Sequence, residues 1–164
     1  MAVISVHKDE QALTLTFVAE FDAGVERVWQ VWEDPRQLER WWGPPTWPAT
    51  FKQHDFVVGG QSRYHMTGPD GQLAHGWWTM TAIEAPFRLA FDDGFAGEDG
   101  EPDASAPVVS IAVTIEGTET GARMTTVNRF SSLEDFEQLL SMGMDEGMRL
   151  AMGQIDNLLT NPSR

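Results

Sequence analysis

The chain has 164 residues, with 25 acids against 11 bases, a formal charge of −14, and no cysteine. That length suits one domain burying roughly 70% of its unfolded surface; the acidity repels a phosphate backbone and argues against nucleic acid as a partner; the lack of cysteine removes disulfide and thiolate chemistry and fits a reducing cytoplasm. No run approaches eighteen apolar residues and no basic segment leads into an apolar one at the N-terminus, so neither membrane insertion nor export is expected.

Leu13, Leu15 and Phe17 alternate with Thr14, Thr16 and Val18 over residues 12–21, the period of a strand with one buried face. Val25, Val28, Trp29 and Trp32 then fall on one side of a short helix, with Asp22 as its expected cap and Asp34-Pro35 as its stop. A second short helix opens on Pro35, a residue suited to a first turn, and ends in Trp41-Trp42-Gly43-Pro44-Pro45. Residues 50–56, 61–67, 73–83, 88–95, 108–116 and 123–131 read as strands. They are joined by turns such as Val57-Val58-Gly59-Gly60, Gly68-Pro69-Asp70-Gly71 and the Ala85-Pro86 corner. Residues 92–107 are acidic and rich in Gly and Pro, which predicts a solvated surface loop.

Over 132–160, Phe136, Leu140, Met144, Met148, Ala151, Met152, Ile155 and Leu159 recur at steps of three and four, the stripe of a half-buried helix. Ser132 with Asp135 resembles a capping box, and Asn161-Pro162 ends the pattern. Glycines at 143, 147 and 153 each cost about 1 kcal/mol relative to Ala in a helix interior, so a break near Met142 is expected. Strand, two short helices, six further strands and a long helix make an α+β fold. It is a curved antiparallel sheet of about seven strands wrapped around the C-terminal helix, its only large apolar partner.

Several stretches carry a resemblance. Phe21 to Pro45 (FDAGVERVWQVWEDPRQLERWWGPP) resembles the opening signature of the family of the activator of heat-shock protein 90 ATPase, in the START-like (SRPBCC) superfamily. Val58-Gly59-Gly60 with Tyr64 and Met66, then Pro69-Asp70-Gly71, resembles its second hairpin. Ile83 to Leu89 resembles its Pro-Pro corner with Ala85 in place of the first proline, and Gly143 to Met148 resembles the start of its final helix with Met148 in place of a tryptophan. The resemblance spans about residues 11–160 of a single START-like domain taken as 1–164. It implies a helix-grip fold with a cavity between sheet and helix, and leaves the contents of that cavity open.

Seven tryptophans, nine phenylalanines and eight methionines serve equally for a large core or an apolar cavity wall. In the Trp41-Trp42 pair, at the expected mouth, one indole either stacks on a ligand or gates entry, or else plugs the end of the sheet. Pairing Met66 with Leu73 puts Tyr64 beside His75 and Ser62 beside Trp77 on the inner face, and leaves Trp78 and Met80 outside as a dimer or partner surface. In that register His54, His65 and Arg63 share the opposite face. No His-x-His or His-Glu-x-x-His spacing occurs, so no metal site is expected, nor any other cofactor. Asn128, where the family often carries His, and His75 are candidate polar groups within the cavity.

The expected ligand-binding residues are therefore Trp42, Tyr64, Met66, His75, Trp77, Asn128, Met144, Met148 and Met152. The leading expectation is a non-enzymatic domain that binds a small hydrophobic or aromatic molecule. The alternatives are a co-chaperone-like interaction domain with a chaperone partner or a second copy, and a cyclase-like or hydrolytic activity using His75 and Asn128. The familiar hydrolase, kinase and Walker motifs are absent.

Overall fold

The computed structural model describes residues 3–160, so the expected stop at Asn161-Pro162 lies outside the described residues. Eight strands, β1 (Val3–Asp9), β2 (Thr14–Phe21), β3 (Ala49–His54), β4 (Gln61–Thr67), β5 (Leu73–Glu84), β6 (Arg88–Phe95), β7 (Val108–Gly117) and β8 (Ala122–Phe130), form one sheet in the order β1-β2-β8-β7-β6-β5-β4-β3. Every neighbouring pair is antiparallel. Helices α1 (Val25–Glu33) and α2 (Pro35–Leu38) carry the chain from β2 to β3, at the far edge of the sheet. Helices α3 (Leu133–Ser141), α4 (Met144–Gly153) and α5 (Ile155–Thr160) follow β8. This is the α+β helix-grip arrangement, with β1 added at one edge. Ser5 to Lys8 are all exposed, so over these residues β1 has no alternation of buried and exposed side chains for a sequence pattern to show.

The alternation of β2 buries Leu15, Phe17, Ala19 and Phe21. Asp22 does not cap α1: the helix starts after Gly24 and has no side-chain cap. Asp34 instead caps α2 by accepting from the Arg36 backbone N–H at 3.0 Å, and Ser132 caps α3 by accepting from that of Asp135 at 3.1 Å. The C-terminal helix breaks at Met142-Gly143, where Gly143 takes φ +87°, and again at Gln154. The breaks shift the helical phase, so Leu139 and Leu158 are more deeply buried than the expected Leu140 and Leu159.

The β4–β5 register differs from expectation by one residue. The hairpin closes with the Gly68 N–H donating to the Gln72 carbonyl at 2.8 Å, which leaves a three-residue turn over 69–71 where a two-residue turn was expected. Met66 thus pairs with Ala74, Tyr64 with Gly76 and Ser62 with Trp78. Because side chains alternate, this slip exchanges the faces. Trp78 and Met80 are 0% and 1% exposed, and Trp78 stacks on Phe91 with ring centroids 4.0 Å apart. His75 and Trp77 lie on the outer face, His75 against His65 at 5.8 Å and Trp77 with its indole N–H donating to the Phe95 carbonyl at 3.1 Å. The surface patch expected from Trp78 and Met80 is therefore part of the core. Truncating Trp78 to alanine should cost about 3–5 kcal/mol, against about 1 kcal/mol for Trp77. Urea unfolding of the two variants measures the difference, and equal losses would contradict the observed register.

A bulge between Phe51 and Gln53 acts similarly on β3. It returns His54 to the face of Phe51 and Tyr64, where the unbroken alternation had placed it opposite. His54 Nε2 faces the Trp32 carbonyl at 2.9 Å and so carries the proton, while Nδ1 accepts from the Ser62 hydroxyl at 2.8 Å. Burial lowers its pKa below the usual 6.5, in keeping with a neutral ring that ties α1 to the sheet.

Candidate functional site

The site begins with the turn after α2. Gly43 takes φ +101°, and a Cβ there would lie 2.4 Å from the Trp47 carbonyl oxygen, so only glycine fits. Gln154 Nε2 donates to the Gly43 carbonyl at 2.8 Å and fastens this turn to the C-terminal helices. The adjacent tryptophans thereby separate. Trp41 is fully buried and donates to the Val31 carbonyl at 2.8 Å, which makes it the plug. Trp42 turns toward the sheet, edge-on to Trp78 at 4.9 Å, and forms one wall of a cavity.

That cavity has a volume of about 320 Å³ and lies between the sheet and the α3–α4 junction. Trp42, Tyr64, Met66, Phe95, Met144 and Met148 line it, and Gly143 and Gly147 leave room on the helix side. Met144 and Met148 are only partly buried, whereas Met152, one turn further on, is fully buried. Of these three helix methionines, the half-covered pair fronts the cavity. Flexible, polarizable thioethers facing aromatic rings give a wall that adapts to differently shaped apolar molecules.

One polar pair interrupts this lining. The Tyr64 hydroxyl donates to Asp93 Oδ1 at 2.8 Å. Gly76 makes the contact possible, because a Cβ at that position would sit 2.3 Å from Tyr64 Cζ, in the space the ring occupies. Asp93 is half-buried and belongs to the cavity lining. Burial, the largest cause, raises its pKa from 3.8 to about 7, against the lowering effect of donors on Tyr64 and Trp78. Burial and the neighbouring Asp93 raise the Tyr64 phenol well above its usual value, so it stays a donor. The indole N–H groups of Trp42 and Trp78 have no close partner; they act on the pair at longer range, Trp42 on the phenol and Trp78 on both groups. Gly76→Ala should drive the Tyr64 ring off Asp93 and cost about 1–3 kcal/mol. Thermal unfolding together with the Tyr64 side-chain NMR shifts checks this, and an unperturbed Tyr64 would contradict it.

Of the nine residues expected at the site, Trp42, Tyr64, Met66, Met144 and Met148 meet around the cavity. Trp77 and His75 do not, since both lie on the outer face. Asn128 and Met152 are buried in the core away from the cavity. Asn128 Nδ2 donates to the Leu15 carbonyl at 3.1 Å and its Oδ1 has no partner. Asp93 was missed because it sits in the run Asp92 to Asp103, which reads as a solvated acidic loop. The signal that finds it is the alternation Leu89, Phe91, Asp93: the first two are fully buried, and Asp93 continues their face. Among the described residues no three His, Cys, Asp or Glu side chains gather closely enough to hold a metal ion, and no helix is long and apolar enough to cross a membrane.

Comparison with known proteins places this architecture. A protein from Arthrobacter aurescens solved by NMR is 56% identical, with a TM-score of 0.93 over 99% of this chain and 94% of that one. A crystal structure of a protein from Mycobacterium smegmatis is 46% identical, with a TM-score of 0.88 over 96% of each chain. An AHSA1 protein from Silicibacter pomeroyi shares the fold at 22% identity, with a TM-score of 0.72 over 90% of this chain and 97% of that one. No curated protein matches the chain. Residues 22–160 match the family described as activator of Hsp90 ATPase homolog 1-like protein. That match runs from the start of the first helical connection to the end of α5, and the chain belongs to this family.

Proposed function

We propose that this protein binds a small, largely apolar molecule in the cavity between the sheet and the C-terminal helices. The observation that carries this reading is a preformed space of about 320 Å³, walled by aromatic rings and half-covered methionines and holding one polar pair, Tyr64 and Asp93. That size and mixture are typical of small-molecule sites, in which an apolar lining supplies affinity and a few polar groups fix orientation. Native mass spectrometry of gently purified protein, followed by thermal-shift measurement with panels of aromatic amines, alcohols and acids, tests it. The reading requires either a retained molecule or a saturable shift, and consistent absence of both would overturn it.

The family match supports a second reading, a co-chaperone-like domain that acts on a chaperone ATPase. Trp78 and Met80 are buried and do not contribute to a partner surface, whereas Phe87, Phe95 and Met142 stay exposed and are available to one. Stimulation of an Hsp90-type ATPase by the purified protein would support this reading, and unchanged turnover together with no complex in sedimentation would remove it. The catalytic alternative loses its residues: His75 faces outward while Asn128 is buried and bonded to Leu15.

A further inference from the structure

Among the described residues Asp93 is the only one with a formally charged side chain in the cavity lining, and no Lys, Arg or His accompanies it. An ionised carboxylate in an apolar, aromatic surround is costly unless a cation meets it. If Asp93 merely anchored Tyr64, a neutral acceptor would serve at lower cost. The Tyr64 hydroxyl instead donates to Oδ1, a bond that favours the charged form. Among the described residues Asp93 Oδ2 has no hydrogen-bond partner, and Asp93 belongs to the cavity lining.

Two further features point to a cation. The rings of Trp42, Tyr64 and Phe95 all line the cavity, and aromatic faces attract a positively charged nitrogen. An adjoining cleft shares Phe95, Pro107 and Met142 with the cavity and carries Asp103, Glu134 and Asp135, again with no base in its lining. On a chain of formal charge −14, that cleft favours cations over carboxylates beside the cavity.

We infer that the ligand of this cavity is a hydrophobic amine, its apolar body against Met66, Met144 and Met148 and its protonated nitrogen against the Asp93 carboxylate. This rests on the cavity being a binding site, as proposed above, and adds the chemical class of what it selects. No bond is made or broken; the ammonium ion supplies the counter-charge that the lining lacks.

The test is calorimetric titration, at about pH 8 where such an amine is protonated, with three ligands that differ only in their polar end: 4-phenylbutylamine, 4-phenylbutanol and 4-phenylbutyrate. The amine should bind at least about tenfold tighter than the alcohol, and the carboxylate more weakly than either. Asp93→Asn should bring amine and alcohol within about twofold of each other. An alcohol that binds the unaltered protein as well as the amine does would overturn the amine assignment and leave the cavity reading intact. So would an amine preference that survives in Asp93→Asn. Failure of all three ligands to bind would overturn both. The ranking on the unaltered protein decides the matter even if the variant does not fold.

Discussion

Asp93→Asn is expected to raise the stability of the free protein, and to do so only toward neutral and alkaline pH. The Asp93 carboxyl is raised from 3.8 to about 7 in the folded chain, chiefly by burial. At about pH 3 and below both folded and unfolded chains hold the proton, and the acid costs nothing. As pH rises the unfolded chain ionises first, so stability falls until the folded carboxyl also ionises near pH 7, and the penalty is constant above that. A shift of about three units corresponds to about 4 kcal/mol. Asparagine keeps a carbonyl for the Tyr64 hydroxyl and cannot ionise. At about pH 8 the variant should therefore melt roughly 10 °C above the parent, and at about pH 3 the two should nearly coincide. The difference between the two proteins isolates Asp93 from the other carboxylates that titrate in the same range. A difference independent of pH, or none, would mean that the carboxyl is not desolvated. The same penalty is what a bound ammonium ion would relieve, so the amine should stabilise the parent more than Asp93→Asn.

Filling the cavity from the helix side should separate stability from binding. Gly147 lines the cavity on α4, and a Cβ there would meet nothing within 4 Å. Gly147→Leu removes a helix-interior glycine, a gain of about 1 kcal/mol, and places an apolar side chain in the ligand's space. The variant should melt no lower than the parent while its affinity for 4-phenylbutylamine falls more than about tenfold. Gly153→Leu is the control, because Gly153 is the exposed last residue of α4 and is absent from the lining. It should keep the parent's affinity. Affinity retained in Gly147→Leu would place the ligand elsewhere.

The sequence showed the architecture and about half of the cavity, and the reasons differ from residue to residue. The period of the C-terminal stripe and the alternation of β2 are strong because each has one fully buried face. Trp42, Tyr64, Met66, Met144 and Met148 were legible through the motifs of the family. Trp77 and His75 were misplaced by a single residue of register. Gly68-Pro69-Asp70-Gly71 accommodates a two- or a three-residue turn, and only the observed Gly68–Gln72 bond selects the longer one. His54 depended on a bulge that no local residue type announces. Asp93 was hidden by composition, since a neighbouring run of acids and glycines outweighed the alternation of Leu89, Phe91 and Asp93. Gly76 is silent in the sequence because its role is the absence of a Cβ beneath the Tyr64 ring.

The methionines offer the most direct test of the cavity as the binding site. The chain has eight; Met66, Met142, Met144 and Met148 line the cavity, while Met80, Met124 and Met152 are sealed in the core. In a protein with ¹³C-labelled methionine methyl groups, titration with 4-phenylbutylamine should shift the methyl resonances of Met66, Met144 and Met148 saturably and with one common affinity. Those of Met80, Met124 and Met152 should move far less. Shifts confined to methyl groups outside the lining, or none at ligand concentrations that saturate the calorimetric titration, would contradict the account.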